Sequence, residues 1–342
     1  MRARVVQSSI RRPKLARFAS TNHEGAPISF DSAREHCISL LREQDRSSYI
    51  LQSYVPSKAR TAFVAIRAFN LETSRIADNA SKPELADLRF DFWKGVIQKC
   101  LASNLQSLKS VPAEPIAQLL AHAKLTDGVS LSRRFFITLL QTRQTFMTNP
   151  PFRNVDAMAS YGEGTYSQLN YLTQEAMYSV SPVVSDFLQA NPELLDQLET
   201  VAAHIGQGSG IATLLRGYNF FISKKRFVPL PVDLLAKHSL SQEAILRGEA
   251  TGSKELADVV YETATRANDH MLSAQKTLND INQALDGTIP DAMFVPALAA
   301  VPVQLYLERL EKYNFDMSHR SLGKAEWRLP YRSYKAYKLR TI

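Results

Sequence analysis

The sequence predicts an all-α fold, and three observations carry that prediction. Apolar residues recur at helical spacing through every long segment. Prolines and short polar residues stand where helices would start. No run of alternating β-branched residues is long enough for a sheet. Of the 342 residues, 45% are apolar, which supports a core without metal or disulfide staples. No Gly/Ser/Pro-rich linker divides the chain, so one helical domain is expected over residues 31–315.

In order, Asp31 is expected to cap a helix to about Gln44, with Ala33, Cys37, Leu40 and Leu41 on one face. Pro56 precedes the stretch Arg60 to Ala80, RTAFVAIRAFNLETSRIADNA, in which Phe63, Ile66, Phe69, Ile76 and Ala77 mark a buried central helix. Pro83 opens the next, with Leu88, Phe92, Val96 and Leu101 as its apolar stripe. Shorter patterns run from Pro115 to Lys124 and from Ser130 to Met147, and Asn149-Pro150-Pro151 is a firm stop. Asn154 or Asp156 caps a long helix through Tyr161, Leu169, Leu172 and Ala176, and Pro192 opens one that reaches about Arg216. Short helices near Val232 to Lys237 and Gln242 to Arg247 precede long ones at Lys254 to Ala284 and Pro290 to Tyr313.

Charge narrows the function classes. The formal net charge is +8, but residues 1–19 hold Arg2, Arg4, Arg11, Arg12, Lys14 and Arg17 with no acid, which leaves +2 for the rest. A nearly balanced body does not argue for nucleic acid. The acid-free, Arg-rich start, with Val5, Val6 and Ile10 able to form an apolar stripe, reads as a mitochondrial presequence (1–19). Arg17-Phe18-Ala19-Ser20 fits a matrix-peptidase site, and residues 20–30 then form a linker. Cys37 and Cys100 are isolated and read as core thiols, with neither a zinc pattern nor a disulfide framework. No segment holds the roughly 18 to 20 uninterrupted apolar residues that span a bilayer; Phe294 to Leu307 is broken by Pro296, Pro302 and Gln304. A peripheral placement is expected.

Two stretches support a family resemblance. The helix ending AFNLETSRIAD and the later GQGSGIATLLRGYNFFISKKRFVPLPVDLL resemble the squalene/phytoene synthase superfamily over roughly residues 31–315. The resemblance implies a single-domain isoprenoid-synthase-like helical bundle around a central cavity. In those enzymes aspartates on two facing helices hold magnesium ions that bind and ionise a prenyl diphosphate. Here the first motif has Ser74 and Arg75 where an acidic pair is expected, leaving Asp78. In the second, Arg216 is followed by Gly217, and Phe221 stands at the later acidic position. A guanidinium repels a cation that a carboxylate would bind. Losing even one electrostatic stabiliser of a transition state costs about 3 to 4 kcal/mol. The resemblance therefore implies a pseudoenzyme with no catalytic residues, no metal site and no cofactor. Asn70, Tyr161, Thr165 and Tyr166 are the expected pocket lining, Tyr166 standing where the enzymes have small residues.

A narrower resemblance rests on AFNLE without the acid pair, YGEGTYSQLNYLTQEA, the acid-free LLRGYNFF, and LERLEKYNFDMSHRSL. Together these are similar to the mitochondrial complex I assembly factor branch, whose members act at the matrix side of the inner membrane. That implies a complex I (NADH:ubiquinone oxidoreductase) subunit or assembly intermediate as partner. An isoprenoid- or lipid-binding role is the alternative, and a live prenyl transferase with a relocated metal site a more distant one. Lys224, Lys225 and Arg226 beside Phe220, Phe221 and Phe227, and a basic, Tyr-rich segment (316–342) with Arg332, Lys335 and Lys338, are candidate contacts to a partner or to anionic lipid. Both clusters are equally compatible with an ordinary solvated surface.

Overall fold

Ser29, rather than Asp31, begins the described fold. Its hydroxyl accepts from the Ser32 amide at 3.2 Å and caps the helix Phe30–Gln44, while Asp31 places its charge in the positive first turn. The structure is a computed structural model that describes residues 28–342, so the expected presequence and all but the end of the linker lie outside the described residues. Asp45 closes this helix and caps the next, Arg46–Leu51, through the Ser48 amide at 3.0 Å.

The central helix is shorter than its apolar spacing predicts. It spans Ser57–Ser74, breaks at Arg75 and resumes as Ile76–Asn79. The cause is local: the Thr73 hydroxyl donates to the Phe69 carbonyl at 2.7 Å and the Ser74 hydroxyl to that of Leu71 at 2.8 Å. Such bonds loosen the last turn of a helix. Its body is buried all round, from Ala62 to Ile66 and from Ala68 to Asn70.

The helix Pro83–Cys100 corrects the expected stripe. Ala86, Phe90, Trp93, Val96, Ile97 and Cys100 face inward, whereas Leu88 is 65% and Phe92 48% exposed. Both faces are apolar, so periodicity alone does not choose between them; the edge-on contact of Trp93 with Phe69 at 5.3 Å does. Phe136 meets Phe69 in the same way at 5.1 Å, from the helix Arg133–Thr145. These rings centre one half of the core, together with Cys37, Leu120 and Leu172.

The other half centres on two long helices, Pro192–Arg216 and Lys254–Ala284, packed lengthwise. Val259, Val260, Ala267, Met271, Ala274, Leu278 and Ile281 line the inner face of the second. Asn154 caps Val155–Gly162, which continues through a π-helical turn, Glu163–Ser167, into Gln168–Ser179. Glycine decides this packing. A Cβ on Gly210 would lie 2.3 Å from the Gly162 Cα, and one on Gly206 2.1 Å from the Ser167 hydroxyl.

The stretch Asp291–Lys312, 22 residues at mean hydropathy 1.2, is long and apolar enough to cross a membrane, which the interrupting prolines in the sequence argue against. It consists of Asp291–Phe294, a 3₁₀ turn containing Pro296, and Ala300–Lys312. The second core half buries it: Phe294, Leu298, Val301, Leu305 and Leu310 are each no more than 2% exposed. No β-strand occurs among the described residues, and the fold is an all-α helical bundle, as expected.

A cavity between the two motif helices

Between the core halves lies a cavity of about 760 Å³. One wall is the central helix, with Arg67, Asn70, Leu71 and Ser74; facing it is the helix Pro192–Arg216, with Ser209, Ala212, Thr213 and Arg216. Tyr166 and Asn170 come from the π turn and its continuation, Pro302 to Arg309 from the buried apolar stretch, and Glu43 to Ser48 from the capped turn. Leu322 to Glu326 and Leu329 close the rim.

The first motif does not present a metal-binding face. Ser74 reaches the cavity, but Arg75 and Asp78 stand outside its lining. Asp78 forms an ion pair with Lys225, which follows the second motif. An ammonium thus links the two motif regions through the one acid left in them. Behind the central helix the buried Arg143 guanidinium donates to the Asn70 carbonyl at 2.7 Å, to the Asn70 amide oxygen and to the Thr73 hydroxyl. No carboxylate among the described residues pairs with it, and burial pushes its pKa down. It sits instead at the negative end of the central helix, where a cation is favoured.

The second motif has become an apolar joint. The Phe221 ring lies over Gly217, so that a Cβ there would meet it at 2.6 Å. Phe221 also meets Phe227 edge-on at 5.7 Å. A π turn, Phe221–Lys225, ends on Arg226 in the left-handed region at φ 51° and carries Lys225 to Asp78. Among the described residues no group of three or more His, Cys, Asp or Glu side chains is placed to hold a metal ion. A hydroxyl, a guanidinium, a glycine and a phenyl ring are the wrong donors for magnesium, which takes carboxylate oxygens.

Of the expected pocket residues, Asn70 and Tyr166 line the cavity. Tyr161 and Thr165 do not. Tyr161 packs among Phe146 and Phe152 behind the wall, and burial pushes its hydroxyl up to about 12. Thr165 is fully buried and donates to the Tyr161 carbonyl at 2.6 Å. Thr165 lies within the π turn, which breaks the 3.6-residue period by which the sequence would set it on one face with Tyr161.

Several cavity residues have no sequence signal. Arg67 brings a charge to the wall, stacks over Phe63 at 5.2 Å and leaves its Nε without a partner. Tyr306, 8% exposed, has a hydroxyl with no partner, raised in pKa by burial and lowered less by Arg216 and Arg309. Arg309 pairs with Glu326 at 2.6 Å, whose carboxyl is held down at about 2 chiefly by Arg328 and further by Arg309. With Arg46, Arg67, Arg216, Arg309 and Lys324 against Glu43, Asp45 and Glu326, the cavity favours a polar or anionic group.

The candidate surface cations are divided. Lys225 is committed to Asp78, Arg226 donates to the Leu246 carbonyl at 3.3 Å and Arg332 pairs with Glu308 at 2.9 Å. These three also bond within the protein. Lys224, Lys335 and Lys338 remain exposed.

This bundle, with its cavity between two motif helices, defines the class. The squalene/phytoene synthase family profile matches residues 41–331, and the chain belongs to that family. Its fold resembles a dehydrosqualene synthase crystallised with ligand at TM-score 0.64 and 12% identity, covering 90% of this chain and 96% of that one. A squalene synthase from Alicyclobacillus acidocaldarius is similar at TM-score 0.64 and 12% identity, over 85% and 97%. Among proteins, it is similar to the NADH dehydrogenase (ubiquinone) complex I assembly factor 6 of Bos taurus, at 28% identity over 91% of this chain and 83% of that protein. The human assembly factor 6 is 28% identical over 86% and 79%, and the Drosophila melanogaster homolog 29% over 88% and 82%.

Proposed function

We propose that this chain is a mitochondrial assembly factor for respiratory complex I. In this reading it is a synthase-like pseudoenzyme that works by binding a subunit or assembly intermediate at the matrix face of the inner membrane. The observation that carries the proposal is the conversion of both metal motifs into structure: Asp78 is neutralised by Lys225, and Phe221 covers Gly217. The similarity to assembly factors across most of the chain supports the same reading. A second reading, that the cavity holds a lipid or isoprenoid, is favoured by the unpartnered Tyr306 hydroxyl and Arg67 Nε at its wall. The two are compatible, since a bound lipid can be part of how an assembly factor acts.

Disruption of the gene tests the function: assembled complex I is expected to fall and early intermediates to accumulate, with rescue by the wild-type chain. Normal assembly would overturn the proposal. Incubation with farnesyl or geranylgeranyl diphosphate and Mg²⁺ tests the pseudoenzyme, for which no prenyl product and no Mg²⁺-dependent thermal shift are expected.

A further inference from the structure

The C-terminal helix Leu329–Leu339 is pinned on one side and bare on the other. Leu329, Ser333 and Ala336 are buried beneath it. The Tyr337 hydroxyl donates to Asp291 at 2.8 Å, Arg340 pairs with the same carboxylate, and Arg328 and Arg332 pair with Glu308. On the opposite face Tyr331 is 67%, Tyr334 54% and Leu339 56% exposed, with Lys335 and Lys338 exposed between them. Trp327, just ahead of the helix, is 79% exposed. The arginines hold the helix to the body, and the lysines and aromatic rings face away.

We propose that this outward face docks on an anionic lipid bilayer, a deepening that rests on the membrane placement proposed above. Tryptophan and tyrosine favour the headgroup level, where the ring is apolar and the polar tip stays wet. Lysines with long stems reach anionic headgroups from there. The centre of a protein interface is, by contrast, depleted in lysine, and Leu339 is the one exposed aliphatic side chain on this face. The arginines are neutralised by acids of the body, but the exposed Lys335 and Lys338 stand in a helix, residues 329–339, that holds no acid, so the outward charge matches anionic lipid. Leu322 to Glu326 and Leu329 line the cavity rim, and this segment runs directly into the helix. Docking brings that rim to the lipid surface.

Tryptophan fluorescence reads this contact directly. The chain has two tryptophans, of which Trp93 is 4% exposed and Trp327 reports the surface. With the full chain and phosphatidylcholine vesicles containing cardiolipin, emission is expected to shift to the blue and Trp327 to gain protection from acrylamide. Pure phosphatidylcholine is expected to give neither. Lys335→Ala and Lys338→Ala should each weaken binding about fivefold at low salt, with an unchanged thermal transition because both lie at the surface. Trp327→Phe should abolish the shift while vesicle sedimentation persists, which assigns the signal. Sedimentation with vesicles without any shift would overturn the proposal, as would an equal shift on uncharged vesicles. So would a shift produced only by solubilised inner-membrane protein, which would give the face to a protein partner. Complex I assembly in the disrupted cells is scored separately. Its failure without lipid docking sinks only the docking, and docking with normal assembly sinks only the assembly function.

Discussion

Asp78 is the acid that the family motif leaves in this chain, and its partner decides its role. The carboxylate faces a lysine from the far side of the cavity region, with side chains 35% and 22% exposed. A pair this wet contributes modestly, about 0.5 to 1 kcal/mol. Lys225→Ala and Asp78→Asn are each expected to lower stability by that amount in denaturant unfolding. The exchange Asp78→Lys with Lys225→Asp should recover most of it. A loss in the Asp78→Asn/Lys225→Ala double variant equal to the sum of the two single losses would show that the two groups do not couple. The same logic makes Gly217 and Phe221 a unit, because a side chain larger than hydrogen at 217 displaces the ring at 221.

At the level of elements, the π turn Glu163–Ser167 and the glycines opposite it set how closely two layers approach. Glu163 holds the turn through the Ser167 hydroxyl at 2.8 Å, the Tyr171 hydroxyl at 2.8 Å and the Gln207 amide at 3.0 Å. Gly210→Ala puts a methyl 2.3 Å from the Gly162 Cα, backbone that has no rotamer in which to escape. A loss of about 2 to 3 kcal/mol is expected, in the range of overpacked cores. Gly95→Ala is the control: a Cβ there meets nothing within 4 Å, and helix propensity alone predicts a gain of up to about 1 kcal/mol. Thermal unfolding of the two variants checks both. A harmless Gly210→Ala would mean that the helices can separate without cost.

For the molecule as a whole, one half-buried acid gives stability a pH dependence. Glu114 caps the helix Pro115–Leu125 through the Ala117 amide at 2.8 Å. Burial nevertheless raises its pKa from 4.5 to about 7. Near it, burial pushes the Cys37 thiol up and that of Cys100 up to about 12, so both are inert core groups. A carboxyl with a raised folded pKa binds more protons folded than unfolded. Its contribution to stability therefore falls as pH rises from about 4.5 to about 7, then levels off. The size is at most about 3 kcal/mol. Glu114→Gln keeps an acceptor for the cap but cannot ionise, and is expected to raise the melting temperature at pH 8 and flatten its slope between pH 5 and 7. A slope unchanged by the substitution would place the titration elsewhere.

The sequence by itself determined the all-α class, the central and second-motif helices and the loss of the motif acids. These are written in periodicity, in helix-start prolines such as Pro83 and Pro192, and in residue identity, all of which are local. It did not determine which face of Pro83–Cys100 is covered, because Leu88 and Phe90 are both apolar and only Phe69 and Phe136 choose between them. Nor did it show that Thr165, within the π turn, and Tyr161, just before it, stand outside the cavity lining, since that turn resets the register that spacing assumes. Tertiary structure alone decided that Lys225 answers Asp78, that Arg143 lies buried against the end of the central helix, and that Tyr306 and Arg67 meet at one cavity. Each joins residues far apart in the chain, and no local pattern encodes a contact whose energy depends on both partners being brought together.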